Sequence, residues 1–176
     1  RTVFNYIRAA VILPTNELVE QVYRTIKKVA HNVKLRVDKL GHGHQHRLPC
    51  DVIVGTPSKL LRLPFAQRRS INHVVIDESD TLLSDPEFKQ QIDDLLKKRE
   101  LKSLIYCSAT ITDAMLKAVD TDNTVFITTP QLHQTKPKVV VKTIVVRLPE
   151  EGRFQEILKQ IDPKEKTIIF CNSTAV

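Results

Sequence analysis

The chain has 176 residues, of which 41% are hydrophobic and 27% are charged, a composition typical of a globular protein. No apolar run is long enough to span a bilayer, and the three cysteines are far apart, which excludes a disulfide framework and indicates buried thiols. The net charge of +7 favours polyanionic partners, although a basic surface without a dedicated ligand is the alternative.

Short apolar runs along the chain predict β-strands. They cover residues 9–13, 35–37, 51–54, 73–76, 103–107, 125–127, 139–146 and 167–171. Most are rich in β-branched residues and apolar on both faces, a pattern that is typical of a parallel sheet with helices on both sides.

Helical patterns separate these runs. Apolar residues recur at helical spacing over residues 17–30, 86–99, 112–119 and 153–161. Thr15 is a candidate N-cap for the first helix, and Pro86 suits the first turn of the second. The alternation of strands and helices predicts an α/β doubly wound domain over residues 1–129.

The composition changes at residues 130–138, where two prolines and polar residues without periodicity predict a linker. Residues 139–176 contain two strand patterns and one helical pattern. So short a piece buries too little surface to fold alone. We therefore expect it to be the beginning of a second α/β domain that continues beyond this chain.

An acidic segment, DESD at residues 77–80, directly follows the apolar run 73–76. Ligands of doubly wound sheets bind beyond the carboxyl ends of the strands, so this strand is expected to deliver Asp77 and Glu78 to the ligand-binding edge. Carboxylates there can hold Mg²⁺ through its water shell and can orient a water for attack on a phosphate. A solvated acidic loop is the alternative.

Polar, turn-forming residues follow other strand patterns in the same way, at residues 14–17, 55–59, 108–110 and 172–174. In chain order, the segments PTNELV, GTPSKL, DESD, SAT and IIFCNST resemble the motifs of DEAD-box RNA helicases, and the resemblance extends over nearly the whole chain. It implies a RecA-like domain over residues 1–129, followed by the start of a second RecA-like domain.

The resemblance implies an ATP-dependent RNA helicase with ATP and Mg²⁺ as cofactors. Asp77 would coordinate the Mg²⁺ through water, and Glu78 would position or deprotonate the attacking water. Asp80, Ser108 and Thr110 would form a hydrogen-bonded network that couples the nucleotide state to domain closure.

The resemblance also implies that RNA lies along the same edge and is held by its backbone rather than read by its bases. The expected RNA-binding residues are Pro14, Thr15, Asn16, Glu17, Gly41, Gly43, Thr56, Pro57, Ser58, Lys59 and Asn172. Thr15 and Thr56 precede helices whose free N–H groups can face a phosphate, and Lys59 adds a positive charge. For the two threonines, simple helix capping is the alternative.

The chain departs from the family pattern at several points. It contains no Gly-x-x-x-x-Gly-Lys-Ser/Thr loop, and we expect that phosphate-binding loop to precede Arg1, so that this chain alone does not hydrolyse ATP. Asn16 and Lys59 stand where the family has arginine, and Ser79 stands where it has alanine. These substitutions weaken the expectation that the protein unwinds RNA duplexes vigorously. They weaken the expectation of ATP hydrolysis less.

The residues after the acidic segment, Thr81-Leu82-Leu83, resemble those of family members that act in mitochondria on the large ribosomal subunit. We therefore expect a mitochondrial protein that acts on ribosomal RNA, with ribosomal proteins or assembly factors as partners and no membrane association. A helicase of the nucleus, the nucleolus or the cytoplasm remains an alternative.

Two other functions stay open, namely a catalytically silent RNA-binding scaffold and a RecA-like protein-interaction domain. A metal site at His42, His44 and His46 is a further alternative, although the neighbouring glycines favour a polar loop.

Overall fold

The computed structural model describes residues 6–41, 49–97, 100–129, 145 and 150–170. They belong to two units, Arg1–Gln134 and Thr135–Val176. The predicted linker at residues 130–138 and most of the segment after it lie outside the described residues.

A parallel five-stranded sheet forms the centre of the first unit. Its strands are β1 (Ala9–Ile12), β2 (Val37–Lys39), β3 (Val52–Gly55), β4 (His73–Ile76) and β5 (Ser103–Tyr106). The order across the sheet is β2-β3-β1-β4-β5, and all neighbours are parallel. Ile12 pairs with Gly55 on one side and Ile76 on the other, and Ile76 pairs with Tyr106. Four strands therefore end at the same level, and the segments that follow them share one edge, which we call the strand-end edge.

Helices connect β1 to β2, β3 to β4 and β4 to β5, as is usual for crossovers in a parallel sheet. They are α1 (Asn16–Ala30), α2 (Pro57–Leu61), α3 (Phe65–Ser70), α4 (Ser79–Ser84), α5 (Pro86–Leu96) and α6 (Asp113–Ala118), with 3₁₀ turns at His31–Val33 and Thr121–Asn123. In the second unit, α7 spans Glu150–Leu158. Among the described residues, no helix combines the length and the apolar character needed to cross a bilayer.

Two apolar clusters cover the two faces of the sheet. Alternate residues of β1 belong to different clusters, with Ala10 and Ile12 in the larger one and Val11 in the smaller one. Alternation of this kind follows from the two-residue period of a strand. The predicted α/β doubly wound sheet, covered on both faces, is therefore confirmed.

Two strand predictions were wrong in the described part of the first unit. The run at residues 35–37 forms a strand only from Val37 onwards, because the side chain of Asp51 accepts hydrogen bonds from the backbone N–H of Arg36 (3.0 Å) and from its guanidinium (2.9 and 3.2 Å). Residues 125–127 form no strand and instead line an open cavity of about 510 Å³ beside β5. Leu104 and Ile105 of β5 are accordingly 37% and 49% exposed, whereas burial on both faces was expected.

The predicted helices are present in the described residues, but some of their first and last residues differ from the prediction. The helix predicted at 153–161 occupies Glu150–Leu158, and the apolar run that follows forms no strand over residues 167–170. The short helices α3 and α4 were not predicted. In α4, the core residues Leu82 and Leu83 sit directly behind the acidic segment.

Candidate functional site

A sharp turn at the carboxyl end of β4 holds the acidic segment, and we call residues 77–80 the acidic turn. The N–H of Asp77 still donates to Ile12 of β1 (3.0 Å), so Asp77 continues the strand. Glu78 then adopts the left-handed conformation (φ 52°, ψ 44°), which costs about 1–2 kcal/mol for a residue with a side chain. Its N–H donates to the Asp77 carboxylate (3.0 Å), and α4 begins at the next residue. The strand direction is thus broken at the two carboxylates.

Ser79 fastens the acidic turn to the end of β5. Its backbone N–H and its hydroxyl both donate to the carbonyl oxygen of Cys107, at 3.0 and 2.8 Å, and the residue is fully buried. The second of these hydrogen bonds needs a hydroxyl, so an alanine at this position could not form it. The serine therefore contributes a contact between the acidic turn and the residue that directly precedes the SAT segment.

Asp80 makes a second connection between the same two segments. The Thr110 hydroxyl donates to its carboxylate at 2.5 Å, and the Ser108 hydroxyl donates to the Thr110 carbonyl at 2.7 Å. Partial burial acts to raise the pKa of Asp80, but hydrogen bonds from Thr110, from the N–H of Thr81 and from Ser108 outweigh it, and the pKa lies below its usual value. Asp80 is therefore a stable anion in this network, as its predicted place there requires.

Asp77 and Glu78 are half-buried, and no cation of the described residues forms an ion pair with either carboxylate. Partial burial and the negative charge of Asp77 together raise the pKa of the Cys107 thiol, which is exposed and not buried as expected. The described residues contain no group of three or more side chains that could hold a metal by themselves. Mg²⁺ commonly binds through one or two carboxylates together with phosphates and water, so the oxygen donors present fit it.

The segments after β1 and β3 meet at the neighbouring part of the strand-end edge. Thr15 caps α1, and its hydroxyl oxygen accepts from the N–H of Leu18 at 3.3 Å. Asn16, the next residue, accepts from the ammonium of Lys59 at 2.5 Å. The two positions at which the chain departs from the arginines of the family pattern therefore contact each other.

Thr56 precedes α2 but does not cap it with its side chain. Its hydroxyl lies 3.4 Å from that of Ser58, and the residue is buried, as is Pro57 at the first helical position. Gly55 packs closely beneath, because a Cβ there would lie 3.2 Å from the side chain of Leu40. This close packing fixes the spacing between the ends of β2 and β3.

The structure brings most of the predicted site residues to one edge, at residues 14–17, 56–59, 77–80 and 108–110. Gly41 is described and half-buried, just beyond Leu40. Gly43, Asn172 and the three histidines at 42, 44 and 46 lie outside the described residues. RNA contact by any of these positions stays a prediction.

Sequence reasoning missed two contacts of the site. The bond from Ser79 to Cys107 ends on a backbone carbonyl, which leaves no trace in the sequence. The contact of Asn16 with Lys59 joins residues 43 positions apart, and its only signal is that both replace arginine of the family pattern.

Comparison with known proteins gives a consistent set of similarities. A family model described as DEAD/DEAH box helicase matches residues 2–119. The mitochondrial ATP-dependent RNA helicase MRH4 of Vanderwaltozyma polyspora is 33% identical over an alignment of 155 positions, gaps included, that covers 78% of this chain and 29% of that protein. The protein of the same name from Lodderomyces elongisporus is 29% identical over an alignment of 199 positions, gaps included, that covers 88% of this chain and 33% of that protein.

Among solved structures, the crystal structure of a hypothetical ATP-dependent RNA helicase from Sulfolobus tokodaii matches with a TM-score of 0.56 at 26% identity. The match covers 64% of this chain and 37% of that one. The chain spans about a third of the length of the curated relatives that it matches.

Proposed function

The chain belongs to the DEAD/DEAH box helicase family, and on that premise we propose that the full-length protein is an ATP-dependent RNA helicase that holds the RNA backbone and remodels structured RNA. The fold is RecA-like, as predicted. The observation that carries the proposal is the pair of contacts that fasten the acidic turn to the end of β5, from Ser79 to Cys107 and from Thr110 to Asp80.

The acidic turn is proposed to bind and process ATP. Asp77 would hold the nucleotide's Mg²⁺ through water, and the bound Mg²⁺ would neutralise charge on the phosphates. Glu78, next to it, would orient the attacking water and accept its proton. Phosphoryl transfer depends mainly on such positioning and charge neutralisation, which carboxylates fixed at the end of a rigid strand can provide.

The network of Asp80, Ser108 and Thr110 is proposed to sense the nucleotide. Because it joins the ends of two neighbouring strands, a displacement of the acidic turn on hydrolysis would be transmitted to the segment after β5. Coupling to closure requires a second RecA-like domain, which is proposed to begin at residue 139 after a linker at residues 130–138.

RNA is proposed to lie across the ends of β1 and β3. The contacts would come from Pro14, Thr15, Asn16, Glu17, Gly41, Gly43, Thr56, Pro57, Ser58, Lys59 and Asn172. Lys59 supplies the positive charge, and its bond to Asn16 fixes where that charge lies without neutralising it. Contacts of this kind act on phosphate and ribose, so binding should depend little on sequence.

The proposal is tested with Glu78→Gln in the full-length protein. The amide keeps the size of the side chain but cannot accept the proton of water. RNA-stimulated ATP turnover should fall at least a hundredfold, the range in which general-base catalysis contributes, while ATP and RNA still bind. Glu100→Gln, an exposed residue before β5, is the matched control and should retain full turnover.

Turnover by Glu78→Gln at the wild-type rate would remove the catalytic assignment. A wild-type protein that binds RNA without turning over ATP would instead identify a silent RNA-binding scaffold. Absence of RNA binding would contradict both.

We further propose a mitochondrial location and a ribosomal RNA substrate, with ribosomal proteins or assembly factors as partners. The mitochondrial names of the relatives described above support the location. The ribosomal substrate rests on the expectation from the segment Thr81-Leu82-Leu83 alone. Cross-linking of the tagged full-length protein to RNA in isolated mitochondria tests this, and recovery of non-ribosomal RNA alone would contradict it.

A further inference from the structure

A stretch without carboxylates connects β3 to β4. Between Asp51 and Asp77 the sequence contains no aspartate or glutamate, but it contains four cations. These are Lys59, Arg62, Arg68 and Arg69. None of the three arginines forms an ion pair with a described residue, so their charge is not neutralised locally.

An exposed aromatic ring lies among these arginines. Phe65, the first residue of α3, is 65% exposed. The guanidinium carbons of Arg69 and Arg68 lie 5.6 and 6.0 Å from its ring centroid, within cation–π range. A single exposed apolar residue is common and needs no explanation. A ring beside two unpaired guanidiniums is a more specific surface, and together with Arg62 we call it the Phe65 patch.

The segment that bears the patch is firmly attached to the core. Leu63 and Ile71, which flank it, are buried. The Ser70 hydroxyl accepts from the N–H of Ile7 at 3.0 Å and lies 3.0 Å from the Ile7 carbonyl and 2.7 Å from that of Gln67. The ring is therefore held outward by a fixed segment, so little ordering would be needed when a ligand binds.

We propose that the Phe65 patch is a second binding surface for single-stranded RNA, beyond the strand-end edge. Nucleobases stack on aromatic rings and on guanidinium planes, and phosphates are attracted to arginine, so the patch offers both kinds of contact. RNA is favoured over an acidic protein segment, because such a segment would use the charge but would not need an exposed ring.

The patch lies apart from the strand-end edge, because Ser70 at the end of α3 bonds Ile7, which precedes β1 at the opposite edge of the sheet. Helix α2 begins at the strand-end edge and carries Lys59, and Arg62 follows its last residue. Five helical residues advance about 7–8 Å, so α2 carries the chain away from the strand-end edge before α3 begins. The Phe65 patch is therefore a surface separate from the one that bears Lys59. This inference rests on the proposed RNA-binding function, but it concerns different residues.

The experiment measures the affinity of the full-length protein for a uridine oligomer of about 20 nucleotides by fluorescence anisotropy. Phe65→Leu removes the ring and keeps an apolar side chain, and Arg69→Gln removes one exposed charge. Each should weaken binding about tenfold. Phe65→Leu loses base stacking, which contributes about 1–3 kcal/mol per base, and Arg69→Gln loses a phosphate contact and a guanidinium plane. Lys28→Gln, which removes an exposed cation near the end of α1, is the matched control and should change affinity less than about twofold.

ATP turnover without RNA should stay at the wild-type rate in both patch variants, which also shows that they fold. Wild-type affinity in both variants would overturn the proposal. A loss in Arg69→Gln alone would also overturn it, because that would indicate charge attraction without stacking. Loss of binding to polyglutamate with unchanged RNA affinity would assign the surface to an acidic protein partner instead. If the wild-type protein binds no RNA, the proposed function fails together with the patch; if it binds RNA and both variants bind equally well, only the patch proposal fails.

Discussion

At the scale of single residues, Ser79 shows how a small substitution adds a contact. Its hydroxyl and its backbone N–H both donate to the carbonyl oxygen of Cys107, so two hydrogen bonds hold the acidic turn to Cys107. A buried hydroxyl without a partner would be unfavourable, and this one has a partner. The serine therefore adds a contact that holds Asp77 and Glu78 in position. In the sequence alone it stands out only as a departure from the family pattern.

The pH dependence of stability should report on Asp80. Its pKa is lowered on folding, so its contribution is present above the unfolded value of about 3.9 and is lost as the pH falls through the folded value. Thr110→Val removes the donor and keeps the shape. The variant should be less stable than wild type above about pH 5, and the difference should shrink towards pH 3, as followed by urea unfolding of the full-length protein at a series of pH values. A difference that does not change with pH would show that the hydroxyl does not act on the Asp80 carboxylate.

At the scale of elements, the sequence predicted the parts whose hydrophobic pattern is complete. Strands β1, β3 and β4 were found because apolar side chains cover both faces. Helix α1 was found because its apolar stripe extends over fifteen residues. Helices α3 and α4 have six residues each, too few for a periodic pattern to appear.

The candidate site was predictable to the same extent. That the loops after the strands share one edge follows from a parallel sheet, so the grouping of residues 14–17, 56–59, 77–80 and 108–110 could be expected. The contact of Thr110 with Asp80 was implied by the family resemblance, but the other contacts across that edge could not be expected. The bond from Ser79 to Cys107 spans 28 positions and depends on the exact spacing of β4 and β5, which no local pattern records.

The N-terminus of α1 allows capping and RNA binding to be separated. Thr15→Asp keeps an oxygen that can cap the helix and adds a negative charge that suits a helix N-terminus, so stability should be equal to wild type or slightly higher. The same charge would repel phosphate, and RNA affinity should fall about tenfold. Urea unfolding and fluorescence anisotropy on the full-length protein measure the two effects.

Thr15→Ser is the matched control and should keep both properties. If Thr15→Asp binds RNA as well as wild type does, Thr15 is a cap alone, which is the alternative that the sequence left open.

At the scale of the whole molecule, the excess of positive charge is distributed unevenly. The chain has 27 lysines and arginines and 20 acidic residues. Two carboxylates without an ion pair to any described residue lie at the end of β4, and the stretch of residues 52–76 has no acidic residue at all. This separation is consistent with the proposal that the acidic turn holds a cation and that the stretch between β3 and β4 contacts a polyanion.

The salt dependence of RNA binding should count the phosphate contacts. Each contact to single-stranded nucleic acid that is lost reduces the slope of log affinity against log salt by about 0.7. Lys59→Ala should therefore weaken binding to oligomers of different sequence by the same factor and reduce the slope by about that amount. The loss reflects charge because Lys59 is held in place by Asn16 rather than buried in an ion pair. Lys28→Ala, remote from the strand-end edge, should leave the slope unchanged, and an effect of Lys59→Ala confined to one RNA sequence would show that the edge reads bases instead of the backbone.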